Sequence, residues 1–265
     1  MPDSYADAAR YREQAATYDA TRGASPTVAT LLLRFLGPGD GRSVLDIAGG
    51  TGNYARPVAD AGFRVFVLDR ETAMLERSVA KLGAGRQLVG DALRLPVCDA
   101  AVDAVMSVAA LHQFPDQRAA LAEARRVIRD GPFVMQAFTA ESLIPSFVFG
   151  YFPSSGAPDA VHPAEDEIVE MLRDAGFGRV ERERFVYEDL SDGTVHALQN
   201  DAEALADPDR LRNTSFFKRL DPETQRAGLE ALRRDLEGGA LQRKVEEGLR
   251  LARIHGQGTV FAARP

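Results

Sequence analysis

The stretch Val44-Leu45-Asp46-Ile47-Ala48-Gly49-Gly50-Thr51-Gly52-Asn53-Tyr54 constrains this chain more than any other. Val44, Leu45 and Ile47 are apolar and partly β-branched, which suits a short buried strand. Gly49, Gly50 and Gly52 then crowd into a few positions. Without a Cβ the backbone can turn sharply there, and a ligand can come close to it. Beyond Tyr54 the pattern becomes helical, with Val58 and Ala59 ahead of a stop at Gly62. Strand, glycine turn and helix N-terminus in that order make a site for a nucleotide-like ligand.

The neighbouring segments supply a sheet around that turn. Upstream, Val28, Leu31, Leu32 and Phe35 recur at helical spacing until Gly37-Pro38-Gly39. Downstream, Arg64 to Leu68 reads as a second strand, apolar on both faces as in a parallel sheet, and it ends in Asp69. A helix over 72–82 leads to a short third strand at 87–89 and the turn Gly90-Asp91-Ala92. A fourth strand is expected over 102–108, followed by Leu111-His112-Gln113-Phe114, a helix over 117–129 and a fifth strand over 132–138. Such alternation implies right-handed crossovers. The fold class expected is α/β: a doubly wound, Rossmann-like seven-stranded sheet. A helix opening on Glu165, Asp166 and Glu167, a sixth strand over 179–187 and a seventh over 259–263 complete it. A mostly helical insertion over about 194–255 separates the last two strands, and it either covers a site or forms a dimer surface. The chain is expected to be one domain: an N-terminal helical lid over 1–25, a cofactor-binding half over 26–140 and a substrate-side half over 141–265.

Composition narrows the partners. A formal net charge of −7 argues against a nucleic-acid binder. Cys98 is the only cysteine, so neither an intrachain disulfide nor a cysteine metal cluster can form. The four histidines have no zinc-type spacing, and no metal is expected. The apolar run Leu143 to Phe152 is too short to span a membrane and is broken by Pro145 and Gly150. No apolar segment follows Met1, so no secretory signal and a cytoplasmic location are expected.

Two cofactors can claim the turn. Gly50-Thr51-Gly52-Asn53-Tyr54-Ala55 formally matches the dinucleotide fingerprint G-x-G-x-x-A, with Asp69 further on, which would make a nicotinamide-dependent oxidoreductase. That reading lacks a hydride-side catalytic pair and leaves the acids at 46 and 91 unexplained. Taken from Asp46, the stretch resembles the (D/E)-x-G-x-G-x-G loop of class I S-adenosylmethionine-dependent methyltransferases. Val67-Leu68-Asp69-Arg70-Glu71-Thr72-Ala73-Met74-Leu75 is similar to the second motif of that family, and Gly90-Asp91-Ala92 with Leu95-Pro96 to its third. Val102 to Ser107 through Leu111-His112-Gln113-Phe114 resembles its fourth motif, and Arg126 to Gly131 the turn before its fifth strand. Order and spacing hold over about 40–140. The combination looks most like the small-molecule branch with the menaquinone/ubiquinone-type methyltransferase domain. Ala48 departs from the motif, standing where the family has glycine; alanine fits there if φ is negative.

The resemblance implies S-adenosyl-L-methionine as cofactor, S-adenosyl-L-homocysteine as product, and a role for each motif residue. The loop 46–52, with Asp46, Ala48, Gly50 and Gly52, would wrap the methionine part. Asp46 would orient the turn or reach the ammonium through water, or else cap backbone N–H groups. Asp69, with Arg70 beside it, would accept from the ribose hydroxyls; the alternative is an N-cap for helix 72–82. Met74 would pack on the adenine, or simply in the core. Asp91 and the Ala92 N–H would read the adenine edge, unless Asp91 is an exposed turn residue. Tyr11, Tyr18 and Arg22 would close over the methionine end, or belong to a helix packing on the sheet. His112 is the candidate base where the nucleophile needs one, or a packed structural histidine; His162 and His255 are weaker candidates. Phe147, Phe149, Tyr151 and Phe152 would wall an apolar acceptor pocket or fill the core under the insertion. The expected activity is SN2 methyl transfer to an O, N or C nucleophile of a small molecule, apolar, aromatic or a peptide. A non-catalytic or repurposed cofactor-binding protein is the further alternative.

Overall fold

The computed structural model describes residues 18–153 and 162–265. Tyr11 and the expected lid up to residue 17 lie outside them. Seven strands run in the order β3-β2-β1-β4-β5-β7-β6. They are β1 (Ser43–Ile47), β2 (Arg64–Asp69), β3 (Gln87–Val89), β4 (Ala104–Val108), β5 (Phe133–Ala137), β6 (Arg179–Phe185) and β7 (Gly258–Arg264). The first five pair in parallel; β7 runs antiparallel to both β5 and β6. Strand order reverses between β1 and β4, which opens a crevice at their carboxyl ends. Everything of chemical interest gathers at that end.

Every residue of β1, β4 up to Ser107 and β5 is buried, because helices cover both faces. On one face, α2 (Pro26–Leu36), α3 (Ala55–Asp60) and α4 (Thr72–Leu82) bring Val28, Leu32, Val58 and Leu75 against Val44, Val65, Met106 and Val134. On the other, α5 (Gln117–Val127) and α7 (Glu165–Asp174) bring Leu121, Ala124, Ile168 and Leu172 against Leu45, Ile47, Val105 and Met135. Ahead of these lies the single turn α1 (Tyr18–Thr21), and α6 (Ala140–Leu143) follows β5.

Between β6 and β7 come α8 (Val195–Leu198), α9 (Ala202–Ala206), α10 (Pro208–Arg212), α11 (Ser215–Lys218), α12 (Pro222–Glu237) and α13 (Ala240–His255). They close a separate apolar cluster around Leu205, Leu211, Phe217, Leu232 and Leu241, together with Val148 and Phe152.

Several boundaries differ from expectation, and three have a visible cause. The fourth strand starts at Ala104 and the helix after it stops at Val127, because Val102 and Ile128 form an isolated bridge with each other. Ile128 is extended (φ −78°, ψ 134°), which ends the helix. The sixth strand stops at Phe185, where a side chain takes over from the ladder: the Gln257 amide oxygen accepts from Tyr187 N at 3.0 Å. Among the described residues no helix is long and apolar enough to cross a membrane.

Candidate cofactor and acceptor site

After β1 the backbone turns through Ala48 (φ 57°), Gly50 (φ 55°) and Gly52 (φ 77°). The condition under which alanine fits there, a negative φ, is not met: Ala48 is left-handed, a conformation that costs an L-residue roughly 1–2 kcal/mol. Backbone bonds from Gly49 N to Leu68 O (3.1 Å) and Gly52 N to Gly49 O (2.9 Å) hold it there. The turn folds directly over Asp46: a Cβ on Gly49 would lie 2.4 Å from Asp46 Oδ2. Asp46 is 1% exposed, and its Oδ1 has no partner. Burial, and then the Asp69 charge, push its carboxyl well above the usual carboxylate range.

Asp69 ends β2 beside the turn. Its Oδ2 accepts from Gly50 N and its Oδ1 from Glu71 N, both at 2.9 Å. Burial raises its pKa in spite of those two bonds. The N-cap of helix α4 is Glu71, so capping is not what occupies Asp69. Met74 is buried, with its Cε 3.4 Å from where a Gly50 Cβ would stand. Arg70 is exposed, 4.0 Å from Glu71 Oε1. At the end of neighbouring β3, Asp91 is exposed and accepts from Leu93 N at 2.9 Å, while Ala92 is buried. Asp46, Ala48, Gly50, Gly52, Asp69 and Met74 thus meet at one place, with Asp91 and Ala92 one strand further out.

The segment at 18–22 is tied onto the turn by residues the sequence reading missed. Asp19 Oδ1 accepts from Thr51 Oγ1 (2.6 Å) and Asn53 Nδ2 (3.2 Å), and Lys81 Nζ donates to Asp19 Oδ2 (2.9 Å) and Thr51 O (2.9 Å). Burial works to raise the Asp19 pKa; the bonds from Lys81 and Thr51 prevail and lower it. Arg22 donates from Nε to Asp192 Oδ1 at 2.8 Å, and the Tyr54 hydroxyl donates to Asp192 Oδ2 at 2.7 Å. Tyr18 lies under the Arg22 guanidinium, 5.3 Å from ring centroid to Cζ. Thr51, Asn53 and Tyr54 stood inside the recognised motif. Asp192 gave no signal, being 170 residues from its partner Arg22.

At the ends of β4 and β5 four rings meet. His112 lies 5.1 Å from His162 and 6.1 Å from Phe138, and Phe138 stacks on His196 at 4.4 Å and 20°. Burial first, then neighbouring His162, push His112 and His196 down to about 3, so both imidazoles are neutral at physiological pH. The sequence reading did not single out His196. His255 ends α13 and joins none of these ring contacts. Of the aromatic run, Phe152 is fully buried against Phe216 (5.6 Å) and Phe217 (5.7 Å), while Phe147, Phe149 and Tyr151 are half-buried against the same cluster, Phe149 with its ring 5.0 Å from Phe216.

Comparison with known proteins agrees with this geometry. Residues 45–135 match the family model described as a methyltransferase domain. A ubiquinone/menaquinone biosynthesis C-methyltransferase of Paracoccus denitrificans is 32% identical over 57% of this chain and 72% of its own length. A demethylmenaquinone methyltransferase of Renibacterium salmoninarum is 29% identical over 71% of this chain and 88% of its own. Among solved structures, a protein described as a methyltransferase of an antibiotic biosynthesis pathway in Anabaena variabilis superposes with a TM-score of 0.80 at 26% identity. The match covers 92% of this chain and 99% of that one. With the sheet order, the glycine turn over Asp46 and the strand-end Asp69, these matches establish that the chain belongs to the class I S-adenosylmethionine-dependent methyltransferases.

Proposed function

We propose that this methyltransferase acts on a small-molecule acceptor, with residues 26–140 holding the cofactor and 141–265 the acceptor. When bound, S-adenosylmethionine supplies a sulfonium methyl that an O, N or C nucleophile displaces in line, leaving S-adenosylhomocysteine. The observation that carries the reading is the pair of carboxylates bracketing the turn. Asp46 keeps a buried oxygen without a partner, and Asp69 raises its pKa further by its own charge. A cationic ligand beside these two carboxyls would favour their ionised form and gain from it, whereas a dinucleotide pyrophosphate would bring further negative charge with nothing to balance it.

The proposed roles follow from position. Asp69 takes the ribose hydroxyls, Asp46 answers the cationic methionine end beneath the turn, Met74 supports the base, and Asp91 with Ala92 borders its edge. Arg70 stands at the rim. Tyr18 and Arg22 close the methionine end, with Arg22 oriented by Asp192. His112, neutral and weakly basic, orients the acceptor: a conjugate acid of pKa about 3 is a poor match for proton abstraction near neutrality. The insertion over 194–255 covers the acceptor end.

Calorimetry with S-adenosylmethionine, S-adenosylhomocysteine and NAD tests the cofactor assignment. Binding of the two sulfur ligands without NAD is expected; tight NAD binding alone overturns the reading. His112→Ala is expected to lower turnover about tenfold with cofactor affinity intact, whereas a general base is typically worth about 100- to 10,000-fold.

A further inference from the structure

The turn that leaves β3 is held from outside the cofactor site. β3 is an edge strand of three residues, so its carboxyl end has a neighbouring strand on one side alone. On that side Gly90 N donates to Asp69 O at 3.1 Å, which sets Asp91 beside the end of β2. The Gly90 backbone is also covered: a Cβ there would lie 2.7 Å from Pro96 Cδ and 3.1 Å from Leu68 Cδ1. Pro96 therefore packs on the residue that precedes Asp91.

Pro96 is gripped in turn from the last turn of α5. The Arg126 guanidinium carries five N–H donors in a rigid fork, and each has an acceptor. Nε and Nη2 donate to the two Glu123 carboxylate oxygens, each at 2.7 Å. Nη2 also donates to Leu95 O (3.1 Å), and Nη1 to Val97 O (2.8 Å) and Asp99 Oδ1 (2.7 Å). Glu123 Oε2 accepts from Leu95 N at 2.7 Å as well. The carbonyls on both sides of Pro96 are thus tied to one cation, which the carboxylate three residues before it orients. Exposed ion pairs usually contribute little, but this one holds three backbone groups of a single loop.

We propose that Arg126, locked to Glu123, is a positioning residue for cofactor selectivity: through Pro96 and Gly90 it fixes the Asp91 carboxylate that separates a 6-amino from a 6-oxo purine. This rests on the methyl-transfer reading above, in which Asp91 borders the adenine edge. A carboxylate accepts from an exocyclic amino group and repels a carbonyl oxygen. Hydrogen bonds hold at about 2.7–3.2 Å and are gone by about 3.6 Å, so a displacement of under about 1 Å at Asp91 erases the difference.

The experiment titrates the full chain with S-adenosylhomocysteine and with its 6-oxo analogue S-inosylhomocysteine. The wild type is expected to prefer the adenosyl ligand by about ten- to a hundredfold, the range of one charge-assisted bond. Arg126→Met keeps the apolar stem and removes the donors. Its preference is expected to fall to about threefold or less through weaker adenosyl binding, with the inosyl ligand bound as well as before or better. Arg126→Lys, which keeps the charge but not the fork, is expected to lie between the two. Asp91→Asn is expected to abolish the preference too, and to add nothing in the Arg126→Met chain, because both changes act on one bond. A wild-type preference retained by Arg126→Met, an equal loss for both ligands, or additive effects with Asp91→Asn overturns the proposal. If Arg126→Met does not fold, Glu123→Gln, which removes the ion pair without shrinking the side chain, carries the same comparison. A wild-type chain that binds both ligands alike also overturns the proposal; one that binds neither overturns the methyl-transfer reading instead.

Discussion

Around the glycine turn Asp19, Thr51, Asn53, Asp69 and Lys81 direct their hydrogen bonds to one another and to the backbone, whereas around Phe138 the side chains of Gln136, His196 and Gln199 keep buried atoms unpaired. The contrast separates two kinds of binding surface. A loop whose polar groups are satisfied within the protein is fixed before the ligand arrives, and loses little ordering entropy on binding. A region of unpaired buried groups stores free energy that only a complementary ligand releases. The division is not complete: on the cofactor side Asp46, Thr21 and Ser25 also keep buried oxygens unpaired, and that of Asp46 lies where ligand charge is expected.

The hardest test of the satisfied side is to unpair it. Asp192 accepts from both Arg22 and Tyr54 and is 3% exposed as a side chain, with Arg22 at 13%. Asp192→Ala leaves a buried guanidinium without its partner, which typically costs about 3–5 kcal/mol. Chemical denaturation should show a loss of that size; a loss below about 1 kcal/mol would mean that water reaches Arg22 and the pair is not a fixed part of the turn. Asp69→Ala probes the same side by ligand. With charge-assisted bonds worth about 1.5–3 kcal/mol each, two bonds to the ribose predict a weakening of S-adenosylhomocysteine by at least about a hundredfold. Unchanged affinity in a folded variant removes Asp69 from the cofactor.

The unsatisfied side is sensitive to acid. His112 and His196 titrate near 6.5 in the unfolded chain and are pushed down to about 3 in the folded one, by burial first and by His162 second. Between those values the unfolded state binds more protons. The stabilising contribution is therefore full above pH 6.5 and is lost progressively as pH falls towards 3. Urea titrations should show stability falling by about 1–2 kcal/mol or more across this window. His196→Phe should flatten part of the slope; an identical profile would show that His196 is open to solvent.

Legibility in the sequence follows the same division. The turn, Asp69, Met74 and Asp91 sit within short windows where strand periodicity, glycine spacing and strand-end acids repeat at fixed offsets, so local pattern sufficed. The parallel sheet was readable for the same reason, down to the apolar doubles Val65 and Val67. Asp192, Gln136 and His196 carry no local pattern. Asp192 reaches Arg22 across 170 residues, and Gln136 stands in a strand that reads as plain core. Their roles depend on which distant groups the fold fails to pair with them, and one strand's periodicity says nothing of that. Ala48 failed differently: the sequence showed the residue but not the sign of its φ.

That residue gives the smallest and sharpest of these tests. Ala48 (φ 57°) and Ala109 (φ 52°) are both left-handed, one at the end of β1 on the cofactor side and one at the end of β4 on the path to His112. Relieving the conformation with glycine gains roughly 1–2 kcal/mol, but the freer unfolded chain takes back about 0.4–1 kcal/mol. Ala48→Gly should therefore raise stability by about 0.5–1 kcal/mol, and Ala109→Gly by a similar amount. The ligand response should differ. Backbone bonds on either side fix the turn at Ala48, so S-adenosylhomocysteine affinity should stay level in its variant. Ala109 leads directly into Leu111–Gln113, whose His112 lines the less satisfied end, so its variant should lower acceptor affinity while leaving the cofactor alone. If both variants instead change only stability, the strain at the two strand ends is a property of the fold, and the asymmetry between the two sides lies in side chains alone.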